Sequence, residues 1–127
     1  MPQMFVIQEH NASHHHYDLR LEIGGVLKSF AFPKTPPTEP GIKRLEIQTE
    51  DHALEYADFE GEIPKGHYGA GTVTIWDRDE LVVEEIRENE KILFELSGNK
   101  MQGRYALIKT KIGGGKKNKN WLLFKRK

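Results

Sequence analysis

The chain has 127 residues, which suits one domain, residues 1–127, with its own core. It has no cysteine, which excludes disulfides and thiolate metal sites, and no apolar run nears the ~20 residues of a membrane span. The formal net charge is zero, so any attraction to nucleic acid must come from how the charge is distributed. The start, MPQMFVIQEH, lacks a basic region followed by a long apolar stretch, so it does not read as a signal peptide and a cytoplasmic protein is expected.

Met4–Gln8 reads as a short apolar strand. The next stretch, QEHNASHHHYDLRLE, crowds four histidines, an aspartate and an arginine together. Tyr17, Leu19, Leu21 and Ile23 alternate there with His16, Asp18, Arg20 and Glu22. Side chains alternate faces along a strand, so one face is apolar and the other carries imidazole, carboxylate and guanidinium in a row. His10, just upstream, is placed to fold back and complete a His, His, Asp set. His14 and His15 flank it and read as exposed loop residues.

Gly24 and Gly25 separate Tyr17–Ile23 from Val26–Phe32, a hairpin signal because paired glycines supply positive φ. The proline-rich stretch 33–41, PKTPPTEPG, is a loop. Arg44–Glu50 alternates again, with Leu45 and Ile47 on one face and Arg44, Glu46, Gln48 and Glu50 on the other. If the two charged faces line one concavity, Arg44 stands opposite His16, Asp18 and Arg20, with His52 and Tyr56 just beyond. Gly61, Gly66, Gly69 and Gly71 punctuate a turn region; His67 within it reads as a surface residue.

Further strands are expected at Thr72–Trp76, Leu81–Ile86, Ile92–Leu96, Arg104–Ile112 and Trp121–Lys125, with Trp76 and Trp121 in the core. Residues 84–91 are the one stretch suited to a short helix. GGGKKNKN reads as a flexible basic loop, and Lys109–Lys127 holds eight Lys or Arg and no acid. A basic end on an acidic body can grip a phosphate backbone, with Lys116, Lys117 and Lys119 as candidate contacts, or simply remain solvated. The fold expected is all-β: a single β-barrel with at most a short helix and a polar groove on one side.

Two imidazoles and a carboxylate suit a divalent first-row metal and leave positions open for water and substrate. Arginines beside such an ion favour a phosphoryl group, whose developing negative charge needs several cations. Arg20, Lys34 and Arg44 are the cations available. His52 is suited to act as a general acid or anion contact, and Tyr56 to orient an oxygen.

The stretches FVIQEHNASHHHYDLRLE, SFAFPK, DHALEYADFEGEIPKGHYGAGTVTIWD and NWLLFKRK resemble the 3′-phosphoesterase domain of DNA ligase D. That end-healing module of bacterial non-homologous end joining also occurs as a stand-alone archaeal protein. The resemblance runs from about Phe5 to the last strand. It implies a β-barrel with a manganese-dependent site in a crescent groove, a site whose ligand types also admit Zn²⁺ or Co²⁺. The implied activity acts in DNA repair at DNA or DNA–RNA 3′ ends of primer-template duplexes. It removes a 3′-terminal ribonucleoside to leave a 3′-phosphate, then hydrolyses that phosphate to 3′-OH.

Carried onto this sequence, the resemblance puts the metal ligands at His10, His16 and Asp18. Phosphate contacts fall on Arg20, Lys34, Arg44 and His52, and the active-site tyrosine is Tyr56. Ligase and polymerase domains are not in the sequence, so such partners are expected as separate chains. Nine residues precede His10, shorter than the arm of many family members, and a weak phosphomonoesterase step is expected from that.

Two other classes compete. His14, His16 and Glu22, with Pro64, Gly66 and His67, loosely echo the motifs of cupin-like metal-dependent oxygenases, although Arg20 falls about where a cupin places its carboxylate. A non-catalytic DNA-end-binding module would use the basic tail alone. The arginines around the metal set count against the cupin, and metal-dependent product release would count against the binder.

Overall fold

Alternating apolar residues along successive strands require a sheet with one face turned into a core, and the chain meets this by closing the sheet on itself. The computed structural model describes residues 3–67, 70–110 and 118–127. The strands are β1 (Gln3–Asn11), β2 (His16–Ile23), β3 (Val26–Phe32), β4 (Lys43–His52), β5 (Gly61–Ile63), β6 (Gly71–Arg87), β7 (Lys91–Ser97), β8 (Gln102–Lys109) and β9 (Asn120–Lys125). A short 3₁₀ helix, η1 (Leu54–Asp58), follows β4. Eight strands pair in the order β1-β2-β3-β4-β9-β8-β7-β6, and β6 returns to β1 to close an antiparallel barrel. The short β5 adds to the start of β6.

The barrel interior holds Phe5, Ile7, Tyr17, Leu19, Leu21, Phe30, Phe32, Phe94, Tyr105, Trp121 and Leu123, among others. Each such buried side chain contributes roughly 1.5–3 kcal/mol. A smaller cluster of Val6, Leu27 and Ala57 lies outside the wall, where Tyr56 of η1 packs on it. That cluster fixes η1 against the strands that carry the polar row. Tyr105 reaches from the core to donate a hydrogen bond to the Pro37 carbonyl at 3.0 Å, tying the proline-rich loop to the barrel. Burial, aided by the Asp77 charge, pushes its phenol up to about 12.

Several expectations are corrected. Residues 84–91 are not helical: β6 pairs with β7 as far as Arg87↔Lys91, and residues 88–90 are a turn with Asn89 at φ 59°. Cross-strand packing overrides the helical preference of Glu84, Glu85 and Arg87. The helical turn lies instead at Leu54–Asp58. The segments expected at Thr72–Trp76 and Leu81–Ile86 are one strand of 17 residues, β6. A bulge near Trp76 shifts its register against β1, from Ile7↔Asp77 to Gln8↔Ile75. Trp121 is buried and Trp76 is partly buried against the core, with the Lys100 ammonium 4.4 Å from its ring centre.

The larger correction concerns β4. Its charged set does not line a groove with Arg20. Glu46 is fully buried, while Leu45 and Ile47 are 50% and 53% exposed. Arg44 pairs with Leu123 and Glu46 with Trp121, both core residues, so the polar set of β4 shares their inward face. Gln48 on that face accepts a hydrogen bond from Trp121 Nε1 at 3.1 Å. Among the described residues, neither Glu46 carboxyl oxygen has a hydrogen-bond partner. Burial, reinforced by the Asp18 charge, raises its carboxyl well above the usual range.

Of the basic end, residues 111–117, including Lys116 and Lys117, lie outside the described residues. Lys119 is exposed. Arg126 is already engaged by Glu84, which Arg104 also contacts. Among the described residues, no helix is long and apolar enough to cross a membrane.

Candidate active site

β1 is longer than the apolar run alone suggests, and it carries His10 opposite His16 in the antiparallel ladder. Paired residues on adjacent strands point to the same side, so the two imidazoles meet, with ring centres 4.7 Å apart. Asp18 follows two residues after His16 on the same face. Its Oδ2 is 3.3 Å from His16 Nε2. One ligand atom from each of His10, His16 and Asp18 can be chosen so that all lie within 4.8 Å of one another. Among the described residues this is the one such group of three or more His, Cys, Asp or Glu.

His16 Nδ1 lies 3.0 Å from the His14 carbonyl oxygen. A carbonyl only accepts, so Nδ1 is the protonated nitrogen, and Nε2 faces Asp18. A backbone hydrogen bond of this kind fixes tautomer and ring plane in metal-binding histidines. The hydrogen bond to Asp18 raises the affinity of His16 for a proton, against the opposing effects of burial and Arg20. The arrangement that holds a proton there is one that would hold a metal cation. Two imidazoles and a carboxylate within reach of one point fit a divalent ion.

Arg20 is buried and fully gripped. Its Nε donates to Gln8 Oε1 at 2.6 Å, and Nη1 donates to Ser29 Oγ at 2.8 Å. Its Nη2 stands 3.7 Å from Asp18 Oδ2. Burial lowers its pKa from the ordinary arginine value, while Asp18 opposes that shift. Gln8 also donates from Nε2 to the Tyr56 and Phe59 carbonyls, at 2.9 and 3.2 Å. One amide thereby ties the guanidinium to η1. The Arg20 guanidinium lies 4.8 Å from the centre of the Tyr56 ring.

His52, at the end of β4, stacks at 4.7 Å on Tyr56. Its Nδ1 lies 3.2 Å from Arg20 Nη1 and 3.0 Å from the Glu50 carbonyl. Arginine only donates and a carbonyl only accepts, so one Nδ1 cannot satisfy both at once. Burial, and then the Arg20 charge, lower the His52 pKa, favouring neutral imidazole.

An open pocket of about 550 Å³ joins these groups: His10, His16, Asp18, Arg20, His52 and Tyr56 all line it, with Ala31 and Thr49 on its floor. Lys34 and Arg44 are not among its lining residues. Lys34 is exposed, two residues after Phe32, which pairs with Tyr17 beside His16. Arg44 donates from Nε to the Thr35 carbonyl at 2.7 Å, which places it against the loop carrying Lys34. His15 pairs with Glu9 at 2.7 Å, and His14 lines the pocket outside the ligand group. His67 is exposed in its turn, and Glu22 accepts from the Met4 amide, so the cupin-like set is not assembled.

Gln8 and Ser29 are site residues that the sequence reading misses. A signal for Gln8 exists: it precedes His10 by two and so shares its strand face. Ser29 carries no signal, being one small polar residue in an ordinary strand.

The fold and the site define a closed β-barrel with a candidate divalent-metal centre beside a buried arginine on its outer wall. The chain belongs to the DNA ligase D 3′-phosphoesterase domain family, whose pattern it matches over residues 8–109. It is 50% identical to the multifunctional non-homologous end joining protein LigD of Pseudomonas aeruginosa, over 97% of this chain and 15% of that protein. It is 48% identical to the protein of that name from Mycolicibacterium smegmatis, over 97% of this chain and 17% of that protein. Against the LigD DNA repair protein of Mycobacterium tuberculosis the identity is 50%, over 84% of this chain and 14% of that protein. The chain thus spans only 14–17% of the length of these curated relatives.

Proposed function

We propose that the chain is a metal-dependent phosphoesterase that heals nucleic-acid 3′ ends in DNA repair. In this reading it removes a 3′-terminal ribonucleoside and then the 3′-phosphate left behind. The observation that carries it is the convergence of His10, His16 and Asp18 on one point, with the guanidinium of Arg20 beside them in the same pocket. Family membership supports the same reading, since the matching domain is described as a 3′-phosphoesterase.

His10, His16 and Asp18 would hold the ion, manganese in this reading. When bound, it supplies Lewis-acid neutralisation of a phosphoryl oxygen and a water of lowered pKa. Arg20, locked by Gln8 and Ser29, presents a preorganised cation to the non-bridging oxygens, so it needs no reorganisation as charge develops. Neutral His52 with its proton on Nε2 can donate to the phosphate or the departing oxygen. Tyr56 walls the pocket and can orient an oxygen through its hydroxyl. Lys34 and Arg44, which do not line the pocket, are assigned to the phosphate in this reading on the family resemblance alone.

The partners in this reading are DNA or DNA–RNA 3′ ends of primer-template duplexes, gripped behind the end by the basic segment including Lys116, Lys117 and Lys119. A ligase and a polymerase would act on the healed end, in the cytoplasm. The test is a primer-template ending in one 3′-ribonucleotide, incubated with and without Mn²⁺ and resolved on a sequencing gel. Loss of one nucleoside followed by a phosphate, only with metal, is expected. Equal cleavage of internal phosphodiesters or of all-deoxy ends would overturn the reading in favour of a general phosphodiesterase. Binding with no product would favour the end-binding module.

A further inference from the structure

β4 runs against the usual polarity of a barrel strand. Leu45 and Ile47 are half exposed, while Glu46 between them is fully buried with no hydrogen-bond partner among the described residues. A slip of one residue would send both apolar side chains inward and return the carboxyl to water. Burying an unpaired carboxyl costs several kcal/mol even in its neutral form. The fold therefore keeps an apolar outer face on β4 despite that cost.

The pairing shows what that face adjoins. Asp18 pairs with Ala31, and Ala31 pairs with Ile47. These three side chains share one row on the outer wall, at steps of about 4.8 Å. Ala31 and Thr49 are floor residues of the pocket, and Ile47 sits beside both, so the apolar face continues from the pocket edge. Leu45 extends it, and Leu122 pairs with Leu45 and is partly buried. The shelf runs Ile47, Leu45, Leu122, starting about 10 Å from the metal ligand Asp18, two strand spacings away.

We propose that this shelf receives the base of the 3′-terminal nucleotide while its phosphate lies over Asp18 and Arg20. This rests on the phosphoesterase reading and adds a subsite to it. Asn120, the β9 partner of Ile47, and Thr49 stand beside the shelf, but the side chains of Ile47, Leu45 and Leu122 that form it offer no donor or acceptor to a base edge, whereas every base presents an apolar face. It would therefore hold all four bases alike, which suits an enzyme that acts on ends of any sequence. It also orients the scissile bond, because base and phosphate are held at two fixed points.

The test compares two primer-templates, one ending in an ordinary ribonucleotide and one ending in a ribose that lacks its base. Each is measured with the unaltered chain and with the double substitution Leu45→Thr, Ile47→Thr. Threonine preserves strand preference, and both sites lie outside the core, so the variant should fold; Ile47→Phe provides a second variant that keeps the apolar face. Dissociation constants are read without added metal, by anisotropy, and KM and kcat with Mn²⁺. The unaltered chain should bind the base-bearing end about tenfold more tightly, equal to about 1.4 kcal/mol. The double variant should lose that preference through KM and Kd, with the base-free end within twofold, and Ile47→Phe should retain it. Equal losses on both ends, no loss on either, or no preference in the unaltered chain would overturn the shelf. So would sedimentation showing a dimer that the double variant breaks, since the face would then be a self-interface. Base-dependent binding without any product would leave the shelf standing and overturn the phosphoesterase reading instead.

Discussion

Gln8 Oε1 accepts a 2.6 Å hydrogen bond from Arg20 Nε, while the same amide donates to two carbonyls of the η1 segment. One side chain on β1 thereby sets the position of the arginine on β2 and of the helical turn that carries Tyr56. Arg20→Lys keeps a positive charge but loses the planar fork that meets Gln8, Ser29 and Asp18 together. Turnover should fall about 10²–10³-fold, the scale of removing one preorganised donor. Gln8→Ala should cost less and act through kcat, since it loosens Arg20 without removing it. Full activity in Arg20→Lys would show that the fork is not used.

Asp18→Ala removes the only carboxylate of the His10, His16, Asp18 group. Bound Mn²⁺, measured by titration calorimetry or by anomalous scattering, should be lost along with activity, while the barrel still melts cooperatively. His52→Ala should do the reverse, retaining the metal and losing turnover. An ion located at His14, His15 or His67 would refute the assignment.

Gly71 shapes the site from outside it. A Cβ there would stand 2.1 Å from the Asn11 carbonyl oxygen and 2.9 Å from Ala12 Cα, at a φ of +141°. Backbone cannot yield as a flexible side chain can, so Gly71→Ala must push the end of β1 away from β6. His10, next to Asn11, moves with it. Metal affinity should weaken at least tenfold and the melting temperature should drop. Gly24→Ala, at φ +66° with no atom of the described residues within 4 Å of the added Cβ, should cost only about 1–2 kcal/mol and leave metal binding intact.

Glu46 links stability to pH. Its raised pKa means the folded chain holds a proton that the unfolded chain releases. The stability from that proton is fully present below the ordinary carboxylate range. It is lost as pH climbs from there to the raised folded value, at up to about 1.4 kcal/mol per pH unit. Urea melts across that window should show the fall, and Glu46→Gln should flatten it. A slope that persists in Glu46→Gln would locate its source elsewhere.

The basic segment should act through charge alone. Replacing Lys116, Lys117 and Lys119 with alanine should raise KM on duplex ends and leave kcat unchanged. It should also reduce the slope of log affinity against log salt, by about 0.9 for each phosphate that is no longer neutralised. An unchanged slope would show that these lysines do not meet the backbone.

Strand alternation is local, and it is enough to announce β2 with its polar row of His16, Asp18 and Arg20, the hairpin at Gly24–Gly25, and an all-β barrel. Position beside the polar strands and the family resemblance add His10, His52 and Tyr56 to the candidate set, and the structure draws all six into one pocket. Alternation says that two faces differ but not which one turns inward. On β4 the inward face belongs to Glu46 rather than to Leu45 and Ile47, because pairing with Ala31 on one side and Trp121 on the other fixes the register. The position of Gln8 over Arg20, the bulge at Trp76 and the approach of Gly71 to Asn11 likewise depend on contacts between residues distant in sequence. Such contacts leave no periodic trace in the chain, so only the closed barrel decides them.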